Sequence, residues 1–232
     1  MSDQPTPEGG TPASGGSEPE SRQRAFLRRI VDPASTAVLT MELQNGIVGQ
    51  DALLPDLVDE VERVGLLDVV KRVCDAARSA GVRVVHCTHE ARPDGAGGTA
   101  NCKIFAVGER MRRETGHSAT EIGQPGVELV DGLEDPRDIV VPRLTGMTPF
   151  TSTSLDQILR NLGIKTVVAT GVSINLGVFG MAMTALDLGY QVVVVRDAVA
   201  GVPPEFAQAL LDQSISLIAT VVTSDDLLAV LT

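Results

Sequence analysis

KTVVATGVSINLGVFGMAMTALDLGYQVVVVR, residues 165–196, decides the fold. Lys165–Thr170 and Gln191–Arg196 are short β-branched runs with little polar interruption, the pattern of strands buried on both faces. Between them the turn GVSINLG at 171–177 leads into a stretch that reads as helix to about Leu188, stopped by Gly189. The alternation continues outward. Downstream, Pro204–Ser216 reads as helix and Ala219–Thr223 as a last short strand. Upstream, Ile139–Val141 is a short strand, and Ser154–Leu162 a helix ending at Gly163. Thr36–Met41 (TAVLTM) is a buried strand running into a loop through Asn45 and Gly49. Pro55–Ala80 carries Leu57, Val61, Val64, Leu67, Val70, Val73 and Ala77 at helical spacing, with Gly81 as its stop, and Val82–Cys87 is a further strand. Strands of this kind alternating with helices predict a three-layer α/β/α domain, doubly wound around a mainly parallel sheet of about six strands. No internal repeat is visible.

Two segments stand outside this pattern. Residues 1–24 hold four Pro, four Gly and four Ser and almost nothing apolar, so they cannot offset the entropy of ordering and are expected to be a disordered tail before a domain at 25–232. The tail lacks the basic start and apolar middle of a secretory signal. Thr88–Asp135 is long and polar; loops of that length are functional or carry small elements of their own.

Composition narrows the function. A chain of 232 residues with 43% hydrophobic content can bury a core without disulfides or a metal, and no apolar run is long enough to span a bilayer. The net charge of −11 would repel a phosphate backbone, and six aromatic residues without a Trp leave little for base stacking, so no nucleic-acid or membrane partner is expected. Cys74, Cys87 and Cys102, odd in number and irregularly spaced, suggest reduced thiols and a cytoplasmic protein. The chain has no GxxxxGK[ST], no GxGxxG after its first strand and no GxSxG elbow. His86 and His89, three apart on a strand, point to opposite faces and lack the further ligands of a zinc site. No metal and no cofactor are implied.

In a doubly wound sheet the site lies beyond the carboxyl ends of the strands, near the switch in strand order. That directs attention to Glu42–Asn45, His86–Arg92, Arg143–Phe150 and Ser173–Gly177. Three of these stretches, TAVLTMELQNGIVG at 36–49, VVPRLTGMTPFTSTSLDQILRNLGIKTVVATGV at 140–172 and GVSINLGVFGMAMTALDLGYQVVVVRDAVAG at 171–201, resemble in order the segments of the isochorismatase-like hydrolases. That family includes nicotinamidases, N-carbamoylsarcosine amidases and the vinyl-ether-cleaving isochorismatases. The resemblance spans about residues 34–223 and implies, in its amidohydrolase branch, an Asp base, a Lys and a Cys nucleophile at a helix N-terminus; isochorismatase-type members carry glycine at the nucleophile turn. All three positions depart from the amidohydrolase set here, where Glu42, Arg143 and Gly177 stand. The resemblance further implies a cis Val172–Ser173 peptide, a homodimer or larger homo-oligomer, and a small-molecule substrate.

Two readings follow. In the first, the protein hydrolyses a vinyl ether or C–N bond without a thiol, with Glu42 as acid/base, Arg143 as anion clamp and the turn before Gly177 supplying donors. Gln44, Asn45, His86, Thr148, Phe150, Val172, Ser173 and Asn175 are then the expected substrate-binding residues. In the second, the chain is a catalytically silent ligand-binding or assembly protein that retains the fold. Convergence of Glu42 and Arg143 on an open pocket with room beside Gly177 favours the first. A closed pair and a cavity filled by bulky side chains favour the second.

Overall fold

A computed structural model of the chain describes residues 22–49 and 52–231. The expected tail lies outside the described residues except for its last three, which belong to helix α1 (Arg22–Ile30). There Leu27 is buried, and the Arg28 guanidinium donates to the Ala229 carbonyl at 2.8 Å. Then follow β1 (Thr36–Met41), α2 (Pro55–Arg63), α3 (Leu66–Ser79), β2 (Arg83–His89), α4 (Lys103–Thr115), β3 (Ile139–Arg143), α5 (Leu155–Asn161), β4 (Thr166–Val172), α6 (Phe179–Asp187), β5 (Gln191–Ala200), α7 (Pro204–Leu210), β6 (Thr220–Val222) and α8 (Ser224–Leu231).

The six strands form one sheet in the order β3-β2-β1-β4-β5-β6, every neighbouring pair parallel. Period-2 alternation divides the core. Val38, Val84, Val168 and Val193 face a layer formed by α1, α2, α3 and α8, while Leu39, Val85, Val167 and Val194 face α5, α6 and α7. This is the three-layer, doubly wound, parallel α/β arrangement the alternation predicts. The chain winds outward from β1 through β2 to β3, then returns to place β4 on the other side of β1. The order therefore reverses between β1 and β4, and a crevice opens beyond their carboxyl ends.

Four local readings change. The expected helix 55–80 is two helices, because Gly65 adopts φ +62° between α2 and α3. The helix expected over 175–188 begins with a π turn at Ile174–Val178, and the one expected over 204–216 contains a second at Leu211–Ile215. The long polar segment contains α4, which has no buried residue. Helices α1 and α8 lie outside the expected elements: α1 straddles the boundary of the expected tail and packs on α8, while α8 packs on α3 and β5, and at nine and eight residues each is too short for a long periodic signal.

At the switch point β1 and β4 approach unusually closely. Gly171 has φ +100°, and a Cβ there would lie 2.3 Å from the Met41 carbonyl oxygen and 2.6 Å from the Met41 nitrogen. Only glycine fits both the conformation and the contact.

Candidate active site

A cavity of about 210 Å³ opens beyond the ends of β1 and β4. Glu42, Arg143, Ser173 and Gly177 line it, together with His89, Thr120 and a set of apolar side chains from α2 and α4. Four of the eleven expected site residues thus meet there, carried by the first residue after β1, the end of β3 and the turn after β4.

Glu42 leaves β1 with φ +55°, the only described non-glycine residue in the left-handed region. Such a conformation costs about 1–3 kcal/mol and persists only where surroundings enforce it. Its amide donates to the Cys87 carbonyl at 2.9 Å, and its carboxylate accepts a short hydrogen bond from Arg143 Nη2. The arginine is otherwise occupied: Nε donates to the Gly146 carbonyl at 3.0 Å and Nη1 to the Thr88 carbonyl at 3.3 Å. Its side chain is 2% exposed against 18% for Glu42, so the carboxylate, not the guanidinium, is the charged group presented to the cavity.

His89 reaches the cavity from the end of β2. Its Nδ1 is hydrogen-bonded to the Thr120 hydroxyl at 2.8 Å, and Nε2 has no protein partner among the described residues. Burial pushes this imidazole below its usual range, against the opposing influence of Glu42. The Thr120 hydroxyl can donate to or accept from Nδ1, so the neutral ring offers the cavity an Nε2 donor in one tautomer and an Nε2 acceptor in the other. The sequence places His89 in the strand-end stretch 86–92 but points to His86 as the substrate-binding residue; the odd offset between the two on an extended strand sends them to opposite faces, and it is His89 that meets the cavity.

The remaining expected residues do not line the cavity. Gln44 is fully buried: Nε2 donates to the carbonyls of His89 (2.9 Å) and Val127 (2.7 Å), and Oε1 accepts from the His89 amide (2.7 Å), so it fixes the backbone carrying His89. Asn45 starts a one-turn helix, Asn45–Val48, and its side-chain amide reaches the Pro125 carbonyl at 3.4 Å. His86 is buried on the α3 face of the sheet, bonded to Thr40 Oγ1 (2.7 Å) and Asp138 Oδ2 (2.9 Å), and an odd offset from His89 on an extended strand dictates that opposite direction. Thr148 Oγ1 accepts from the Phe150 amide, and Phe150 is buried against the Tyr190 ring. Val172 is a core residue. Asn175 sits in the first turn after β4, hydrogen-bonded to the Ser173 hydroxyl and donating Nδ2 to the Val202 carbonyl at 3.1 Å; it bridges two loops rather than capping the helix. The Val172–Ser173 peptide is cis.

The space beside Gly177 is taken. A Cβ at this position would lie 2.7 Å from the Met41 methyl carbon, the far end of a flexible side chain. No cysteine lines the cavity. Cys74 and Cys87 are buried, and desolvation pushes each thiol up to about 12; Cys102 is exposed just before α4. Among the described residues no three His, Cys, Asp or Glu side chains gather as a metal-ligand set, and no helix is long and apolar enough to cross a membrane. Glu90, Arg92 and Asp94 line a second cavity of about 370 Å³ that adjoins the first along His89, Ile104 and Phe105.

Comparison with known proteins agrees with this architecture. Residues 36–226 match the Isochorismatase domain. A ureidoacrylate amidohydrolase of Pseudomonas savastanoi pv. phaseolicola is 30% identical over 184 residues, covering 76% of this chain and 75% of its own. An isochorismatase family protein from Desulfovibrio vulgaris superposes with a TM-score of 0.72 at 27% identity, over 84% of this chain and 98% of its own. N-carbamoylsarcosine amidase from Thermoplasma acidophilum gives 0.61 at 27%, over 82% and 97%.

Proposed function

The chain belongs to the isochorismatase family, and from that premise we propose that it hydrolyses a small organic substrate without a cysteine nucleophile, with Glu42 as the acid–base group. The observation that carries this reading is the Glu42 carboxylate, held in a left-handed backbone conformation and facing a cavity that contains no thiol. A C–N bond is favoured over a vinyl ether because two relatives of similar length are named as enzymes that cleave such bonds.

In this mechanism Glu42 takes a proton from a water molecule in the cavity, and the oxygen adds to the electrophilic carbon of the substrate. In the tautomer protonated on Nε2, His89 faces the developing oxyanion or leaving nitrogen and supplies a hydrogen bond that strengthens in the transition state. The motif position of Arg143 suggests an anion clamp, but its donors are committed to Glu42 and two carbonyls. Its role here is to orient the Glu42 carboxylate.

Two observations favour the second reading, a catalytically silent ligand-binding or assembly protein: the Glu42–Arg143 pair is closed, and the Met41 methyl lies where a Cβ at Gly177 would stand. A screen of purified protein against small amides and vinyl ethers separates the two. The hydrolase reading expects turnover that survives thiol alkylation and falls at least about a hundredfold in Glu42→Gln. Turnover unchanged in Glu42→Gln removes Glu42 from the role; ligand binding with no turnover favours the silent protein.

A further inference from the structure

Of the described side chains lining the cavity before Glu42, only Glu42, His89 and Arg143 are ionisable. The Arg143 charge is matched by Glu42, its guanidinium also bonds two carbonyls, and its side chain is 2% exposed. The other polar groups are already engaged: the Thr120 hydroxyl with His89 and the Ser173 hydroxyl with Asn175. The walls are Leu57, Phe105, Met111 and Met147. Leu54, Ile104 and Leu176, also in the lining, are 44%, 40% and 40% exposed, so the route inward is apolar too. A carboxylate entering this space gives up hydration and finds no free cation, while Glu42 repels it.

We propose that this site selects an uncharged, largely apolar substrate and rejects carboxylates, the scissile group being the polar end of a mainly hydrocarbon molecule and in the simplest case a primary amide. The amide rests on the hydrolase reading; the preference for a neutral molecule rests on the lining alone. Water and the amide give a carboxylate and ammonium: the carbonyl C–N bond breaks, a C–O bond forms, and both protons of the water end on the departing nitrogen, the first by way of Glu42 and the second by way of the newly formed carboxylic acid. The product is then an anion in a cavity that disfavours anions, which speeds its release. The adjoining larger cavity does not supply the missing cation. Its three arginines face three carboxylates in the same lining, Glu90, Asp94 and Glu109: Arg112 and Arg113 share Glu109 at 2.9 Å, and Arg92 donates to Asp94 at 2.8 Å, so the cavity carries no net positive charge.

The test compares binding of cyclohexanecarboxamide and cyclohexanecarboxylate, by saturation-transfer NMR titration, to the wild type, Met111→Lys and Arg112→Ala. Met111 lies on α4, a helix with no buried residue, so the substitution adds a cation to the lining without disturbing the core. The expected result is an amide preference of at least about tenfold in the wild type, narrowed or reversed in Met111→Lys and unchanged in Arg112→Ala. Equal binding of the carboxylate overturns the proposal. So does failure of both probes to bind, an unchanged preference in Met111→Lys, or carboxylate binding that depends on Arg112. Ammonia release is followed in parallel with the same amide and with ureidoacrylate. Amide bound but never cleaved removes the hydrolase reading and leaves the selectivity. Faster cleavage of ureidoacrylate removes the selectivity and leaves the hydrolase.

Discussion

Glu42 and Arg143 form a nearly buried ion pair, and in the proposed hydrolase the same pair bears on stability and on chemistry. Removing the carboxylate leaves a guanidinium that is 2% exposed without its charged partner. An unpaired buried charge is far more costly than a buried pair is favourable, and the partial exposure of Glu42 moderates the effect. Glu42→Gln should lose about 1–3 kcal/mol in urea unfolding along with any activity. Replacing both partners, as in Glu42→Gln with Arg143→Met, should recover most of the stability and none of the activity. Activity recovered together with stability in the double variant would place Glu42 among structural residues alone. The two glycines of the site differ in kind. Gly171 is required by backbone atoms of Met41 that cannot move, whereas the tightest neighbour of a Cβ at Gly177 is the Met41 methyl, the end of a flexible side chain, with Met41 Cγ at 3.3 Å and the Val172 carbonyl at 3.4 Å.

At the scale of elements, a buried polar network ties three strands to α3. Thr40 on β1 bonds His86 on β2, His86 bonds Asp138 just before β3, and Arg78 of α3 donates to Asp138 at 2.6 Å and to the Leu133 carbonyl at 2.7 Å. Desolvation, with the Arg78 charge adding to it, lowers the His86 imidazole below its usual range, outweighing Asp138 and Glu134, which act to raise it. The folded state therefore holds His86 neutral while the unfolded chain takes up a proton below about pH 6.5. Stability is fully present above that value and is lost as the pH falls from it toward the lowered folded pKa. His89 adds a loss of the same sign. Urea midpoints measured from pH 7.5 down to 5 should fall in the wild type. In His86→Gln the fall should be shallower, from a lower starting point, because one proton-linked group has gone and the Thr40 and Asp138 contacts are weakened. An identical slope in the variant would show that His86 does not carry the linkage.

Across the whole molecule, stability is concentrated at the centre of the sheet and thin over the site. Every residue of β1 and β4 is buried, whereas α4, which contributes Ile104, Phe105 and Met111 to the cavity, buries none. Hydrogen exchange should be slowest in β1 and β4 and faster by orders of magnitude in α4. Protection of α4 equal to that of β4 would mean that it is held by contacts beyond those within this chain. The layer order and the parallel sheet could be read directly from the sequence, because Val-rich strands buried on both faces and helices stopped by Gly81, Gly163 and Gly189 are local, periodic signals. So could the address of the site, since the ends of β1, β3 and β4 must converge in any sheet wound this way. Direction and occupancy are pairwise properties of residues distant in the chain, and only the tertiary structure decides them. It closed Arg143 onto Glu42 across 101 positions, turned His86 away beneath α3 and His89 into the cavity, and set the Met41 methyl beside Gly177. The sequence by itself determined that buried parallel strands alternate with helices in three layers, because those signals are local and periodic; which strands lie side by side was decided only in the assembled sheet. Packing between them determined that the cavity at their ends is apolar and has a carboxylate but no free cation.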